Sequence, residues 1–128
     1  HYETGATVPA ELVAKIKKAS LFQSGWMSLR QVSFAWLDMK WYTTDPAQIN
    51  NVDTFETTVT EVARLLPKEA GTNQSCSFGH IFGGGYSAGY YSYKWAEVLD
   101  ADAFEYFKEK GLYNQEVAAK FKNSILNY

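Results

Sequence analysis

The residues with chemistry to offer crowd into one stretch, Phe78-Gly79-His80-Ile81-Phe82-Gly83-Gly84-Gly85-Tyr86-Ser87-Ala88-Gly89-Tyr90-Tyr91-Ser92-Tyr93-Lys94-Trp95. Read as a helix at about 100° per residue, Tyr86, Tyr90, Tyr93 and Glu97 fall within about 60° of one another. Ala88, Tyr91, Trp95, Val98 and Leu99 take the opposite side. Three phenols in line with a carboxylate are not what packing asks for, because Leu or Phe fills a core position without an O–H that needs a partner. The three glycines before them permit positive φ, a close backbone approach to a ligand, or a loop that moves. With His80 just upstream, one segment offers an imidazole, free backbone N–H groups and three phenols, a polar lining for a cleft.

Each element has a plainer reading. A tyrosine stripe is equally the rim of a packed helix whose hydroxyls sit in water. A lone histidine is more often structural than catalytic. The glycine run lacks the lysine followed by Ser or Thr that completes a phosphate-binding P-loop. Metal binding by this chain alone has little support: His1 and His80 are the only histidines, no His-Glu-x-x-His pair occurs, and the single thiol of Cys76 cannot build a structural zinc site. Neither a Gly-x-Ser-x-Gly elbow nor a Cys/His/Asn set of known spacing is present.

These side chains need a scaffold, and the patterning predicts helices. Pro9 suits a first helical turn, and Thr7 to Ser20 places Leu12, Val13, Ile16 and Ala19 on one stripe. After Gly25, Trp26 to Tyr42 is apolar all round and reads as a central, buried helix that Asp45-Pro46 ends. Asp53-Thr54-Phe55-Glu56 reads as a capping box for a helix with a Phe55, Val59, Val62, Leu66 stripe, stopped by Pro67. Pro67 to Phe82 has no helical period and is a polar loop. A helix is expected from Tyr86 to Leu99, then a break near Asp100, a further helix to Lys110 closed by Gly111, and a last helix capped by Asn114 with Val117, Phe121 and Ile125. The expected fold is all-α: about six helices with one long Gly/Ser/Asn-rich loop.

Length and composition bound the rest. The 128 residues make one segment, 1–128, and 46% hydrophobic content with a net charge of −2 argues against disorder. A balance of 12 Lys+Arg against 14 Asp+Glu without a basic cluster argues against nucleic acid. No apolar run approaches the roughly 20 residues that span a bilayer. With one cysteine there is no internal disulfide, so a cytoplasmic location is the milder assumption. The start at His1-Tyr2-Glu3 reads as a processed or partial segment. Among the 4 Trp, 9 Tyr and 8 Phe, residues such as Trp36, Phe55, Tyr91, Trp95 and Phe121 are expected to pack a helical core.

The chain resembles the thimet oligopeptidase family of zinc metallopeptidases, with its oligopeptidase A and peptidyl-dipeptidase branches. The resemblance runs from Cys76-Ser77-Phe78-Gly79-His80 through Gly84-Gly85-Tyr86 and Ala88-Gly89-Tyr90-Tyr91-Ser92-Tyr93 to Trp95-Ala96-Glu97-Val98-Leu99 and Ala101-Asp102-Ala103-Phe104. His1-Tyr2, Thr4-Gly5, Arg30-Gln31 and Leu37-Asp38 extend it over nearly the whole chain, and Arg30-Gln31 leans towards the oligopeptidase branch.

The resemblance implies a helical catalytic domain in which zinc, held by a His-Glu-x-x-His helix and a further glutamate, activates water to attack short peptides. None of those ligands is in this chain, which by family order would be the C-terminal portion of that domain, binding no zinc and inactive by itself. Carried over by position, the implied catalytic residues are Tyr93, Tyr86 and His80. His80 would hydrogen-bond the substrate backbone, while Tyr86 and Tyr93 face the scissile carbonyl and Tyr93 serves as the oxyanion donor. Tyr90 would line the cleft, and Gly83, Gly84 and Gly85 would be a hinge that closes over the peptide. Short peptides are the expected partners, with self-association through the surface left open by truncation. The competing expectation is a non-catalytic helical module that binds peptides or partners through its aromatic surface.

Overall fold

Six α-helices carry the regular structure of the computed structural model, which describes residues 1–127, and no strand occurs among the described residues. The all-α expectation holds. α1 (Ala10–Ser20) begins directly after Pro9, and its Leu12, Val13 and Ile16 are exposed. Gln23, at a left-handed φ of 54°, turns the chain into α2 (Ser24–Thr43); Gly25, expected as the separator, lies inside that helix.

The core gathers on α2. Leu37, Phe78, Ile81 and Tyr90 form its buried centre, with Phe34, Ala35 and Trp41 of α2 and Phe55 and Val59 of α3 (Val52–Thr60) packed against it. Trp41 and Phe55 rings lie 4.5 Å apart. The expectation that α2 is buried all round is corrected: Leu37 and Asp38 are fully buried, but Val32, Trp36 and Met39 are exposed. Trp36 instead lies beneath the Lys40 ammonium, 4.8 Å from its ring centroid.

Asn51, not Asp53, caps α3 by accepting from the Thr54 N–H at 2.8 Å. Asp53 pairs with Lys68, whose hydrogen bond draws its carboxyl below the ordinary 3.8, and Glu56 is buried with other work to do. α3 also ends earlier than expected. The Arg64 guanidinium donates to the Thr57 carbonyl at 3.0 Å and to Thr60 Oγ1 at 2.8 Å, occupying a carbonyl at the helix end. The chain leaves through a 3₁₀ turn at Glu61–Ala63, so Val62 and Leu66 are exposed and do not extend the Phe55–Val59 stripe.

Past Pro67 the polar segment contains a 3₁₀ turn, Ser75–Ser77, and the one-turn α4 (Gly79–Phe82). The largest correction follows. The helix expected from Tyr86 begins at Ser92, because Ala88 sits at a φ of 53°, where a right-handed helix cannot pass. α5 (Ser92–Lys110) then runs unbroken through Asp100. Gly111, at φ 105°, ends it, and the Asn114 side chain caps α6 (Gln115–Phe121) by accepting from the Glu116 and Val117 N–H groups. Val117 is buried and Phe121 meets Phe107 edge-on at 5.8 Å, whereas Ile125 is exposed. Tyr91 and Trp95, expected in the core, are 57% and 61% exposed, because the buried cluster lies on the Tyr90 side.

Candidate active site

Closing the glycine loop brings the site together. Just past the end of α4, Gly83 N–H donates to the Gly79 carbonyl at 2.8 Å, and Tyr86 N–H returns to the His80 carbonyl at 3.1 Å. His80 and Tyr86 therefore stand at the two ends of one tied loop, with ring centroids 6.0 Å apart. The three glycines serve different needs. A Cβ on Gly84 would lie 2.9 Å from His80 Cα and 3.0 Å from its carbonyl oxygen, while Gly85 takes a φ of 81°. Gly83 is under neither constraint, its nearest such neighbour being 3.8 Å away.

From Tyr86 the chain turns through Gly89, whose N–H reaches the Tyr86 carbonyl at 2.8 Å, and enters α5. That turn packs the phenols. Tyr86 and Tyr93 stack at 5.2 Å, Tyr90 and Tyr93 lie 4.9 Å apart, and Tyr90 stands edge-on to His80 at 6.1 Å. His80, Tyr86, Tyr90 and Tyr93 thus form one ring cluster, bounded by the Gly83–Gly85 loop. Tyr86 and Tyr93 are partly open, at 36% and 37% exposure, while Tyr90 is 9% exposed and wedged against Phe34 and Phe78. Glu97, aligned with the phenols on the wheel, pairs with Lys94 instead.

The surroundings raise the Tyr93 pKa. The Tyr86 hydroxyl beside it, desolvation and the neighbouring phenol Tyr90 all hold its pKa above the ordinary 10.0. A phenol so placed remains a hydrogen-bond donor through neutral and mildly alkaline pH. What the cluster can do chemically is offer O–H donors and an imidazole to a polar ligand lying over a partly open aromatic floor.

Sequence reasoning missed the residues that hold this arrangement. The Asp38 carboxylate accepts from the Ala88 N–H through one oxygen and the Tyr90 N–H through the other, both at 2.9 Å. One turn along α2, the Tyr42 hydroxyl donates to the Ile81 carbonyl, which also accepts from Ser87 Oγ at 2.7 Å. Glu56 accepts from the N–H groups of Gln74 and Ser75 at 2.9 and 2.6 Å and from Ser75 Oγ at 2.7 Å. Trp41 Nε1 donates to that same Ser75 hydroxyl at 3.0 Å. Among the described residues neither buried carboxylate has an ion-pair partner; backbone N–H groups stabilise Asp38, and backbone N–H groups with the Ser75 hydroxyl stabilise Glu56. The signal was present: a carboxylate inside the apolar run Trp36-Leu37-Asp38-Met39 must find partners when its helix packs.

Residues 1–128 match Peptidase family M3. The chain is 46% identical to the organellar oligopeptidase A, chloroplastic/mitochondrial, of Arabidopsis thaliana, over 98% of this chain and 17% of that protein. It is 38% identical to oligopeptidase A of Escherichia coli K12 and 38% identical to dipeptidyl carboxypeptidase of the same organism, in each case over 99% of this chain and 19% of the relative. The chain therefore spans less than a fifth of the length of these relatives. With the match running from end to end and the His80–Tyr93 cluster inside it, the chain belongs to peptidase family M3.

Proposed function

We propose that this chain is the substrate-binding and transition-state-stabilising part of a zinc-dependent oligopeptidase that hydrolyses short peptides. The observation that carries the reading is the ring cluster: His80, Tyr86 and Tyr93 present donors side by side, over a floor made by Tyr90. Tyr93 donates its O–H to the scissile carbonyl oxygen as negative charge develops there, and its raised pKa keeps the proton in place. By comparison with other oxyanion donors this contributes about 2–4 kcal/mol to the transition state. Tyr86 faces the same carbonyl, His80 hydrogen-bonds the peptide backbone, and the Gly83–Gly85 loop closes over it.

Among the described residues no group of three His, Cys, Asp or Glu side chains is placed to hold a metal ion. The described residues do not fit a zinc site. In this reading the zinc ligands belong to other segments of a longer protein, of which residues 1–128 are the C-terminal portion of the catalytic domain. The segment alone is inactive. No helix among the described residues is long and apolar enough to cross a membrane. Relatives whose names place them in the cytosol and in organelles support either compartment. Where this chain stands alone, a second copy covers its open apolar side chains.

The test is peptide hydrolysis by the longer protein. Activity should be lost on chelation, and Tyr93→Phe should lower kcat by about 10²–10³ with a smaller change in KM. An unchanged kcat would remove Tyr93 from the chemistry.

A further inference from the structure

We infer that Asp38 is the positioning residue of the tyrosine cluster: from α2 its buried carboxylate fixes the Ala88–Tyr90 turn and, through that turn, the stack of Tyr86 on Tyr93. The catalytic meaning of this rests on the function proposed above; the geometry does not.

Three observations converge on Asp38. Its carboxylate has no exposure, and each oxygen takes one backbone N–H from a residue flanking Gly89. Between those anchors the chain does something unfavourable, because Ala88 holds a left-handed φ of 53° that costs an L-residue roughly 1–2 kcal/mol. Such a conformation persists only where its surroundings over-determine it. The anchored turn is also continuous with the cluster on both sides. Upstream, Gly89 N–H returns to the Tyr86 carbonyl at 2.8 Å; downstream, Ser92 N–H reaches the Gly89 carbonyl at 3.0 Å as α5 begins. Release of Ala88 and Tyr90 from Asp38 would let Tyr86 and Tyr93 move independently. Tyr42, four residues on and so on the same face of α2, holds the Ile81 end of the loop, making α2 the common base.

A carboxylate is required because both acceptors are used. Asparagine has one oxygen, so Asp38→Asn sets an amide NH₂ against one of the two backbone N–H donors. Glu56→Gln is the matched control, since it also disrupts a buried carboxylate that accepts backbone N–H groups, but at residues 74 and 75.

Amide hydrogen exchange and the NMR titration of the Tyr93 phenol decide the matter in this chain without enzymatic activity. In the wild type the Ala88 and Tyr90 amides should be protected although they lie outside any helix. Asp38→Asn should speed their exchange by about 10- to 100-fold and bring the Tyr93 ionisation back towards 10.0. Glu56→Gln should leave the Tyr93 titration unchanged and speed the Ala88 and Tyr90 amides no more than other core amides of that variant. Wild-type exchange at unprotected rates would overturn the inference even if Asp38→Asn failed to fold. A Tyr93 titration moved equally by both variants would reduce Asp38 to general packing. In the longer protein, Asp38→Asn should lower kcat more than it raises KM. A wild type without peptidase activity would defeat the proposed function and leave the exchange result standing.

Discussion

Tyr86 and Tyr93 lie face to face, ring centroids 5.2 Å apart with 23° between their planes, although seven positions and a left-handed turn separate them in the chain. Tyr86 is the first cause of the raised Tyr93 pKa. Tyr86→Phe should therefore bring the Tyr93 ionisation down towards 10.0, measured by NMR on ring-labelled tyrosine. An unmoved Tyr93 would mean that the Tyr86 hydroxyl does not raise its pKa.

The same shift has a signed effect on stability. With the folded-state pKa above 10.0, the contribution of Tyr93 is complete below that value and lost as pH rises from it through the folded pKa, because the unfolded phenol ionises first. Denaturation midpoints measured between about pH 9 and pH 11 should fall more steeply for the wild type than for Tyr93→Phe. Parallel curves would count against it.

The glycine run should respond unevenly to alanine. Gly84→Ala drives a methyl into the His80 backbone at 2.9 Å, so the loop must shift, at a cost of about 1–3 kcal/mol. Gly83→Ala meets nothing closer than 3.8 Å and should stay within about 0.5 kcal/mol of the wild type. Urea denaturation of both variants is the measurement. Equal stabilities would show that Gly84 is not locked against His80.

Glu56→Gln leaves one oxygen where the carboxylate served three donors, and it should destabilise by about 1–3 kcal/mol. Because Trp41 is bonded to the same Ser75 hydroxyl, its emission should change with the loop. Comparison with a Trp41→Phe background isolates that signal. A variant as stable as the wild type would remove Glu56 as the clamp of the 74–75 loop.

Leu12 and Ile16 on α1 and Trp95, Val98 and Leu99 on α5 are all exposed. Apolar area of this kind favours association between copies. Light scattering of the isolated chain should give an average mass that rises with concentration; a strict monomer at high concentration would refute the expectation.

Local physics was legible in the sequence. Pro9 at the start of α1, Gly111 past the end of α5 and Asn114 before α6 do what their types require within a few residues of themselves. The wheel also selected the phenols that meet, Tyr86, Tyr90 and Tyr93, but for an incomplete reason. It assumed one continuous helix, and the structure brings Tyr86 to Tyr93 by a turn that stops short of that helix.

What sequence alone determined was therefore the all-α character, the end signals of the last helices and the family-bearing cluster of residues. Tertiary structure decided where α5 begins, which faces are covered and how the phenols are held. The reason is the range of the forces involved. Caps and helix periods act over a turn or two, whereas Asp38 and Glu56 must satisfy their buried charge with backbone N–H groups 50 and 18 residues away. Satisfying Asp38 withdraws the Ala88 and Tyr90 N–H groups from any helix, so the start of α5 is set from α2.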